Sequence, residues 1–395
     1  MMSRYYEFYC PVKVIAGEAA LEHLPYELTS IASTRPMIVT DAGVRAAGLL
    51  DPVITACEES EVTIAAIFDE VPPDSSTITV RDIARLYREQ RCDALIAVGG
   101  GSSIDTAKAV NILVSEGGDD IAEYSGAGVL TRPLKPFFVI PTTAGTGSEV
   151  TSVAVIADRE RSVKLPFSSS FLLPNAAIID PRMTLTLPLP ITAATAMDAL
   201  THATEAYTCL AKNPLSDAYA TAAVSKIGRS LLAVMDNPGD ARGRLELAEA
   251  STMAGIAFSN SMVGLVHALG HATGAICHLP HGVCMSLYLP FVLEYNLEQI
   301  REPLAELLLY LEGAEVWAAT PASRRAEATV SAIRHLRDEL HHRCELPRTL
   351  RETGKVTEDQ LEKIARTALD DGSIIYNPRE ATLKEVREIL DKAWG

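Results

Sequence analysis

Positive charge, paired cysteines and long apolar segments are all scarce in this sequence. Lys and Arg total 35 against 51 Asp and Glu, which gives a formal net charge of −16. Because contacts to nucleic-acid phosphates need Lys and Arg, this balance argues against a nucleic-acid partner. No run of residues approaches the ~20 apolar positions that a membrane-spanning helix needs. The N-terminal segment carries polar and aromatic residues where a secretory signal has an apolar core, so we expect a cytoplasmic protein with no membrane partner.

The cysteines also exclude two kinds of site. There are seven, an odd number, and they are scattered along the chain without a Cys-x-x-Cys pair. Neither a disulfide framework nor a thiolate zinc site is therefore indicated. Cys277 and Cys284 flank a histidine-containing turn and offer themselves as extra ligands. Small buried residues are the commoner use of such cysteines, and we favour that interpretation.

The chain is long enough for two domains, and its pattern of predicted strands and helices changes near the middle. It has 395 residues, more than one hydrophobic core usually serves. Up to about residue 180, short β-branched runs alternate with amphipathic stretches, which predicts a largely parallel sheet. Residues 62–71 predict one of its strands, and residues 153–167 predict a hairpin. Pro181, Pro188 and Pro190 mark a boundary, after which helical periodicity dominates. We predict an α/β domain at 1–185 and an all-helical domain at 186–395; the charged helical segment 314–343 carries no evident chemistry.

Four residues in the second half have the types and spacing of a metal site. Asp198 and His202 stand four apart in the stretch MDALTHATEAY, so they share one helical face. His267 lies in GLVHALGHATGA and His281 in the turn LPHG. His278 directly precedes this turn and is a competing candidate for the role of His281. Three imidazoles and one carboxylate, with room left for a substrate oxygen, suit a catalytic Zn²⁺ or Fe²⁺ site better than a closed structural one.

Two loops in the first half have the composition of a nucleotide cradle. The segment GGGSSID follows the apolar run ALIAV and opens a predicted helix, whose first N–H groups suit a pyrophosphate. It is not the G-x-G-x-x-G fingerprint, and alone it is equally well explained as a structural turn. The loop PTTAGTGSE follows a second strand, and ligands of such sheets bind at the carboxyl ends of strands. The candidate residues are Gly99, Gly100, Gly101, Ser102, Ser103, Thr142, Thr143 and Thr146.

Asp41 is a further candidate because it follows the predicted strand MIVT. Its carboxylate could accept hydrogen bonds from a ribose and repel a 2′-phosphate, which would favour NAD over NADP. A turn or helix cap is the alternative, and by the residue alone it is the stronger interpretation.

Taken together, these motifs resemble the iron-containing (group III) alcohol dehydrogenase family. The resemblance is carried by GGGSSIDTAK, PTTAGTGSEVT, MDALTHATEAY, GLVHALGHATGA with LPHG, and the closing NPREAT. These segments follow one another in the family's order across almost the whole chain. The resemblance implies a dinucleotide-binding α/β domain followed by a helical metal-binding domain.

Carried over by motif, the resemblance also implies roles for single residues. Asp198, His202, His267 and His281 would bind the metal, and His271 would support them or relay a proton near the nicotinamide. The cofactor would contact Lys164 besides Asp41 and the loop residues already named. The family often has Asn where Asp74 or Ser75 stands here. Apolar residues at the matched pocket positions, which are Val153, Val155 and Phe258, suggest a small primary alcohol or its aldehyde.

The implied activity is reversible, metal-dependent hydride transfer between such an alcohol and NAD(H), with Fe²⁺ or Zn²⁺ as the metal. A homodimer is expected only because two-fold dimers are the commonest oligomers. A same-fold enzyme acting on glycerol, a keto acid or a sugar phosphate is one alternative. A metal-dependent lyase or hydrolase without redox chemistry is another, and a non-catalytic binding protein is the third.

Overall fold

The chain folds into two compact units. In the computed structural model, residues 5–161 and 163–395 are described. One unit spans Cys10–Thr186, and the other comprises Leu187–Gly395 with the described part of Met1–Tyr9. The first few residues of the polar N-terminal segment lie outside the described residues.

The first unit is built on a six-stranded sheet in which every pair of neighbours is parallel. The strand order is β1-β9-β6-β4-β2-β3. The predicted α/β architecture is thereby confirmed. The strands are β1 (Lys13–Ala16), β2 (Pro36–Val39), β3 (Ala66–Phe68), β4 (Ala94–Gly99), β5 (Gly126–Ala127), β6 (Phe137–Pro141), β7 (Val153–Asp158), β8 (Val163–Ser168) and β9 (Ala176–Ile179), and the helices are α1 (Leu24–Ser30), α2 (Ala42–Ala46), α3 (Leu50–Glu58), α4 (Thr77–Glu89) and α5 (Gly101–Glu116).

Alternation along the strands builds a hydrophobic core on each face of this sheet. In β4, Leu95 and Ala97 belong to one buried cluster, whereas Ile96 and Val98 belong to the other. Successive side chains of a strand point to opposite faces, so both faces must be covered by helices and loops. This continuous burial explains why ALIAV is apolar at every position.

The predicted hairpin is also present. Strands β7 and β8 pair antiparallel, and β5 joins β8 to give a separate three-stranded sheet. The longer strand predicted for 62–71 is reduced to the three residues of β3. The residues just before it are partly exposed, and β2 is its one partner among the described strands.

The described part of the second unit is helical, as the sequence predicts. Among the described helices, none combines the length and apolarity that crossing a membrane requires. The longest helix contains Pro290 and Pro303 and departs from helical dihedral angles at Ile300. The helices are α6 (Leu189–Thr208), α7 (Pro214–Asp236), α8 (Ala241–Ser259), α9 (Leu265–Cys277), α10 (His281–Glu312), α11 (Ala314–Ala319), α12 (Arg325–Cys344), α13 (Leu361–Leu369) and α14 (Leu383–Trp394).

Candidate metal centre and nucleotide loops

Helix α6 brings Asp198 and His202 to one place because they are one turn apart on the same face. Nearly every residue of α6 from Thr192 to Thr208 is buried, since α7, α8 and α10 all pack against it. Small alanine side chains allow such close packing around a helix. The two polar side chains are therefore held in a mostly apolar surrounding.

The other two histidines come from the neighbouring helices α9 and α10. His267 lies in the first turn of α9, and His281 is the first residue of α10, directly after Pro280. Gly282 lets the start of α10 approach α6, because a Cβ at this position would lie 2.3 Å from the carbonyl oxygen of Ala194. The turn LPHG thus delivers His281 to the helix that carries Asp198.

The four side chains converge. One ligand atom from each of Asp198, His202, His267 and His281 lies within 4.8 Å of the others. Oδ1 of Asp198 is 3.3 Å from Nε2 of His281 and 3.9 Å from Nδ1 of His202. Metal–ligand distances near 2.1 Å place tetrahedral ligand atoms about 3.4 Å apart, so small side-chain adjustments would enclose a cation.

The chemistry of this donor set fits a divalent cation. Among the described residues, Nδ1 of His202 and Nε2 of His267 are buried without a hydrogen-bond partner, and such atoms are costly unless something coordinates them. Burial lowers the pKa of His202 to about 3 and that of His267 well below its usual value, so both rings are neutral. Burial alone would raise the pKa of Asp198, but the neighbouring His202 and His281 bring it below the ordinary range. Neutral imidazoles and one carboxylate are the ligand forms that metals require.

Glu205 is a functional candidate that the sequence analysis missed. It is buried on α6, and its Oε2 lies 2.5 Å from Nδ1 of His267. Burial raises the pKa of Glu205 to about 7, against the lowering effect of N–H donors from Gly264 and Val266. Its position three residues after His202, on the same helical face, is the sequence signal that could have revealed it.

His271 lies beside the cluster on α9, one turn after His267. Its ring stacks on that of His281 with centroids 5.4 Å apart, and its Nδ1 is 2.9 Å from Oδ2 of Asp371. Asp371 has no local motif in the sequence, and it was not predicted. Phe258 stacks on His202 with ring centroids 4.2 Å apart, so this predicted pocket residue does lie against the candidate metal ligands.

The competing ligand candidates lie elsewhere. His278 ends α9 in a left-handed conformation and is exposed, and it does not belong to the converging group. Sγ of Cys277 donates to Oε1 of Gln360, whereas Cys284 is buried with Sγ near the carbonyl of Leu279. Neither cysteine belongs to the group of four.

In the first unit, the two predicted nucleotide loops lie side by side because β4 and β6 are neighbours. A Cβ on Gly100 would lie 3.3 Å from the side chain of Thr143, and one on Gly101 would lie 3.2 Å from that of Thr146. Helix α5 begins at Gly101, and its cap residue Gly100 has no side chain to occupy the first N–H groups. These groups are therefore available to an anion.

Lys108 organises the second loop, and the sequence analysis missed it. Its ammonium is fully buried and donates to the carbonyl oxygens of Ser148, Thr151 and Val153 at 2.8–2.9 Å. Burial lowers its pKa to about 8, while the nearby Asp105 opposes that change. Asp105 itself accepts from Oγ of Ser148 at 2.8 Å. This pair ties α5 to the loop that follows β6.

Asp41 caps a helix and also contacts the glycine loop. Its Oδ1 accepts from the N–H groups of Gly43 and Val44, which caps α2, and its Oδ2 accepts from Oγ of Ser103 at 3.1 Å. The alternative cap role is therefore present, next to the glycine loop.

The remaining predicted residues of the first unit lie on its small sheet. Lys164 on β8 pairs with Asp74 at 3.0 Å, so one of the two residues that stand near the place of the family's Asn contacts the predicted cofactor lysine. Val153 and Val155 on β7 each expose 42% of their surface.

Substituting Gly282 with alanine tests whether the close approach of α10 to α6 builds the cluster. The new Cβ would collide with backbone at Ala194, so α10 must shift and carry His281 away from Asp198. We expect Gly282→Ala to lower the affinity for Zn²⁺ at least about tenfold, measured by titration against a chromophoric chelator. Gly239→Ala is the matched control, because its Cβ would meet no atom closer than 4.0 Å. Equal affinities in both variants would contradict this role.

Comparison with known proteins places both halves of the chain in one family. Residues 11–181 match the model of iron-containing alcohol dehydrogenases, and residues 192–394 match the C-terminal domain model of the same family. The chain is 36% identical to the NAD-dependent methanol dehydrogenase of Bacillus methanolicus, over 98% of this chain and 99% of that protein. It is 35% identical to alcohol dehydrogenase 4 of Saccharomyces cerevisiae (strain ATCC 204508 / S288c) over the full length of both.

A solved structure agrees with these sequence matches. The crystal structure of a 1,3-propanediol oxidoreductase superposes with a TM-score of 0.94 at 34% identity, covering 99% of this chain and 100% of that one. The resemblance predicted from the motifs is confirmed, and the chain belongs to the iron-containing alcohol dehydrogenase family of oxidoreductases.

Proposed function

We propose that this protein is a metal-dependent alcohol dehydrogenase that transfers hydride reversibly between a small primary alcohol or its aldehyde and NAD(H). The observation that carries the proposal is the convergence of Asp198, His202, His267 and His281 within 4.8 Å. The paired glycine and threonine loops of the first unit support nucleotide binding. Relatives named as methanol and 1,3-propanediol dehydrogenases support a small alcohol as substrate.

When bound, the divalent cation would supply Lewis-acid stabilisation of negative charge on the alcohol oxygen, and NAD⁺ would accept the hydride. Asp198 would contribute the one ligand charge, and the rings of His202, His267 and His281 would each contribute a nitrogen lone pair. Fe²⁺ and Zn²⁺ both accept this donor set. Phe258, stacked on His202, keeps one side of the cluster apolar, and we propose it as a substrate contact. Val153 and Val155 stay predicted substrate contacts.

The residue proposed to move the alcohol proton is His271. Its side chain is about half exposed, with 46% of its surface accessible. If Nδ1 donates to Asp371, Nε2 is left to accept a proton and pass it to water. The contact with Asp371 holds the ring in one orientation.

For the cofactor, we propose NAD rather than NADP. Asp41 places a carboxylate next to Ser103 of the glycine loop, where it would repel a 2′-phosphate. Lys164, paired with Asp74, and Thr142, Thr143 and Thr146 complete the proposed cofactor contacts.

A cytoplasmic location is supported by the seven cysteines, all of which are free, since oxidising compartments favour disulfides. The homodimer is proposed on general frequency alone.

Metal-dependent NADH turnover is the direct test of this function. The purified chain is reconstituted anaerobically with Fe²⁺ or Zn²⁺ and assayed by NADH absorbance with C1–C4 alcohols and the matching aldehydes. We expect turnover that falls at least about 100-fold in His267→Ala, while the exposed control His335→Ala retains it. Absence of turnover with each metal and with both NAD(H) and NADP(H) would favour the lyase or hydrolase alternative.

The role of His271 has its own test. Replacing it with alanine removes the proposed proton acceptor, and we expect kcat for alcohol oxidation to fall about 10²–10⁴-fold. Metal content, measured by elemental analysis, should stay unchanged because His271 is outside the ligand group. Full activity of His271→Ala across the pH range would refute the relay.

A further inference from the structure

The N-terminus of α9 is capped by residues from distant parts of the chain. Its cap residue Gly264 has no side chain, and the first N–H groups of the helix are buried. Glu205 accepts from N–H of Gly264 at 2.9 Å through Oε2 and from N–H of Val266 at 2.8 Å through Oε1. A carboxylate is well placed at this end, where the helix dipole is positive.

Asn377, from the motif NPREAT, completes the cap. Its Oδ1 accepts from N–H of Leu265 at 3.3 Å, and Asn377 and Asn296 exchange two amide hydrogen bonds of 2.9 and 3.0 Å. A Cβ on Gly264 would lie 3.1 Å from both Asn377 Oδ1 and Glu205 Oε1. Glycine at this position therefore allows both acceptors to reach the helix end.

The same carboxylate contacts the metal-facing histidine of this helix. Oε2 of Glu205 lies 2.5 Å from Nδ1 of His267. Both carboxyl oxygens of Glu205 already accept hydrogen bonds from backbone N–H groups. This arrangement favours Nδ1–H of His267 as a further donor to Oε2, which leaves the lone pair of the ring on Nε2. Nε2 is also the atom of His267 that is buried without a partner among the described residues.

We propose that Glu205 is a positioning residue of the metal centre, which fixes the tautomer and orientation of His267 so that Nε2 is presented to the cation. The inference rests on the proposed metal site. Carboxylates that hold a ligating imidazole in this way typically strengthen metal binding 10- to 100-fold. By binding the helix N–H groups and the ring together, Glu205 couples the placement of α9 to the coordination of the metal.

Glu205→Gln tests the proposal with little change in side-chain size. The amide has one acceptor oxygen, and its NH₂ group cannot accept from His267 Nδ1–H. We expect the dissociation constant for Zn²⁺ to rise 10- to 100-fold, measured on the full chain by competition with a chelator. The matched control is Glu246→Gln, because Glu246 is a part-buried acid on α8 that contacts Ser230, Arg229 and Arg242 and does not belong to the converging metal-ligand group. It should bind Zn²⁺ as tightly as the unaltered chain.

A second measurement reads the tautomer itself. Imidazole ¹⁵N NMR of the metal-free full chain, with His267 assigned through a His267→Asn spectrum, should show Nδ1 protonated and Nε2 unprotonated. In Glu205→Gln this pattern should reverse or become mixed. A merely structural effect of the substitution would weaken the fold without moving the proton.

The outcomes separate the two proposals. If the unaltered chain does not bind a divalent cation, the metal site itself is refuted. If it binds Zn²⁺ and Glu205→Gln binds equally well, or if His267 carries its proton on Nε2 in the unaltered chain, only the role of Glu205 is overturned. The tautomer in the unaltered chain decides the question even if the variant does not fold.

Discussion

The second unit must bury several ionisable side chains among apolar helices, and the arrangement of its centre depends on how that burial is compensated. Asp198, His202, Glu205 and His267 are each 5% exposed or less. Burying a charge or an unpaired polar atom is costly unless partners replace water. Hydrogen bonds from the start of α9 satisfy Glu205, whereas Asp198 and the two buried histidines face one another. Coordination of a divalent cation would offset the remaining free-energy cost of burying Asp198 and the two histidines. The burial of these residues and the membership of the family therefore both point to a metal site.

In the first unit, glycine residues and buried Lys108 shape two loops whose backbone allows close approach by a ligand. Two neighbouring parallel strands end at the same edge of the sheet, and their loops contact each other through glycine on one side and threonine on the other. Glycine removes side chains from the first turn of α5, while buried Lys108 fixes the second loop by its carbonyl groups. The buried polar side chains of this unit thus fix the loops and leave the backbone N–H groups at the start of α5 for the proposed nucleotide.

Much of the architecture could be predicted from periodicity, because long amphipathic helices and continuously buried strands leave strong patterns. Strands β1 and β9 have four residues each, which is too short for a clear hydrophobic pattern. The strand predicted at 62–71 is confined to the three residues of β3, because few of the residues in that range are buried. The four candidate ligands could be singled out because Asp198 and His202 obey helical spacing. Glu205 obeys the same spacing, but its partners Gly264, Val266 and His267 are some sixty residues away. Asp371 and Asn377 reach the centre only through tertiary packing, which a single sequence does not encode locally.

X-ray absorption spectroscopy of the metal-loaded chain tests the central claim most directly, since it reports which atoms surround the cation. With one equivalent of Zn²⁺ or Fe²⁺ bound per chain, we expect three imidazole nitrogens and at least one oxygen at about 2.0–2.2 Å from the metal. The imidazole scattering should fall from three rings to two in His281→Ala. A sulfur neighbour at about 2.3 Å, or an unchanged spectrum in that variant, would contradict the assignment of Asp198, His202, His267 and His281 as the metal centre.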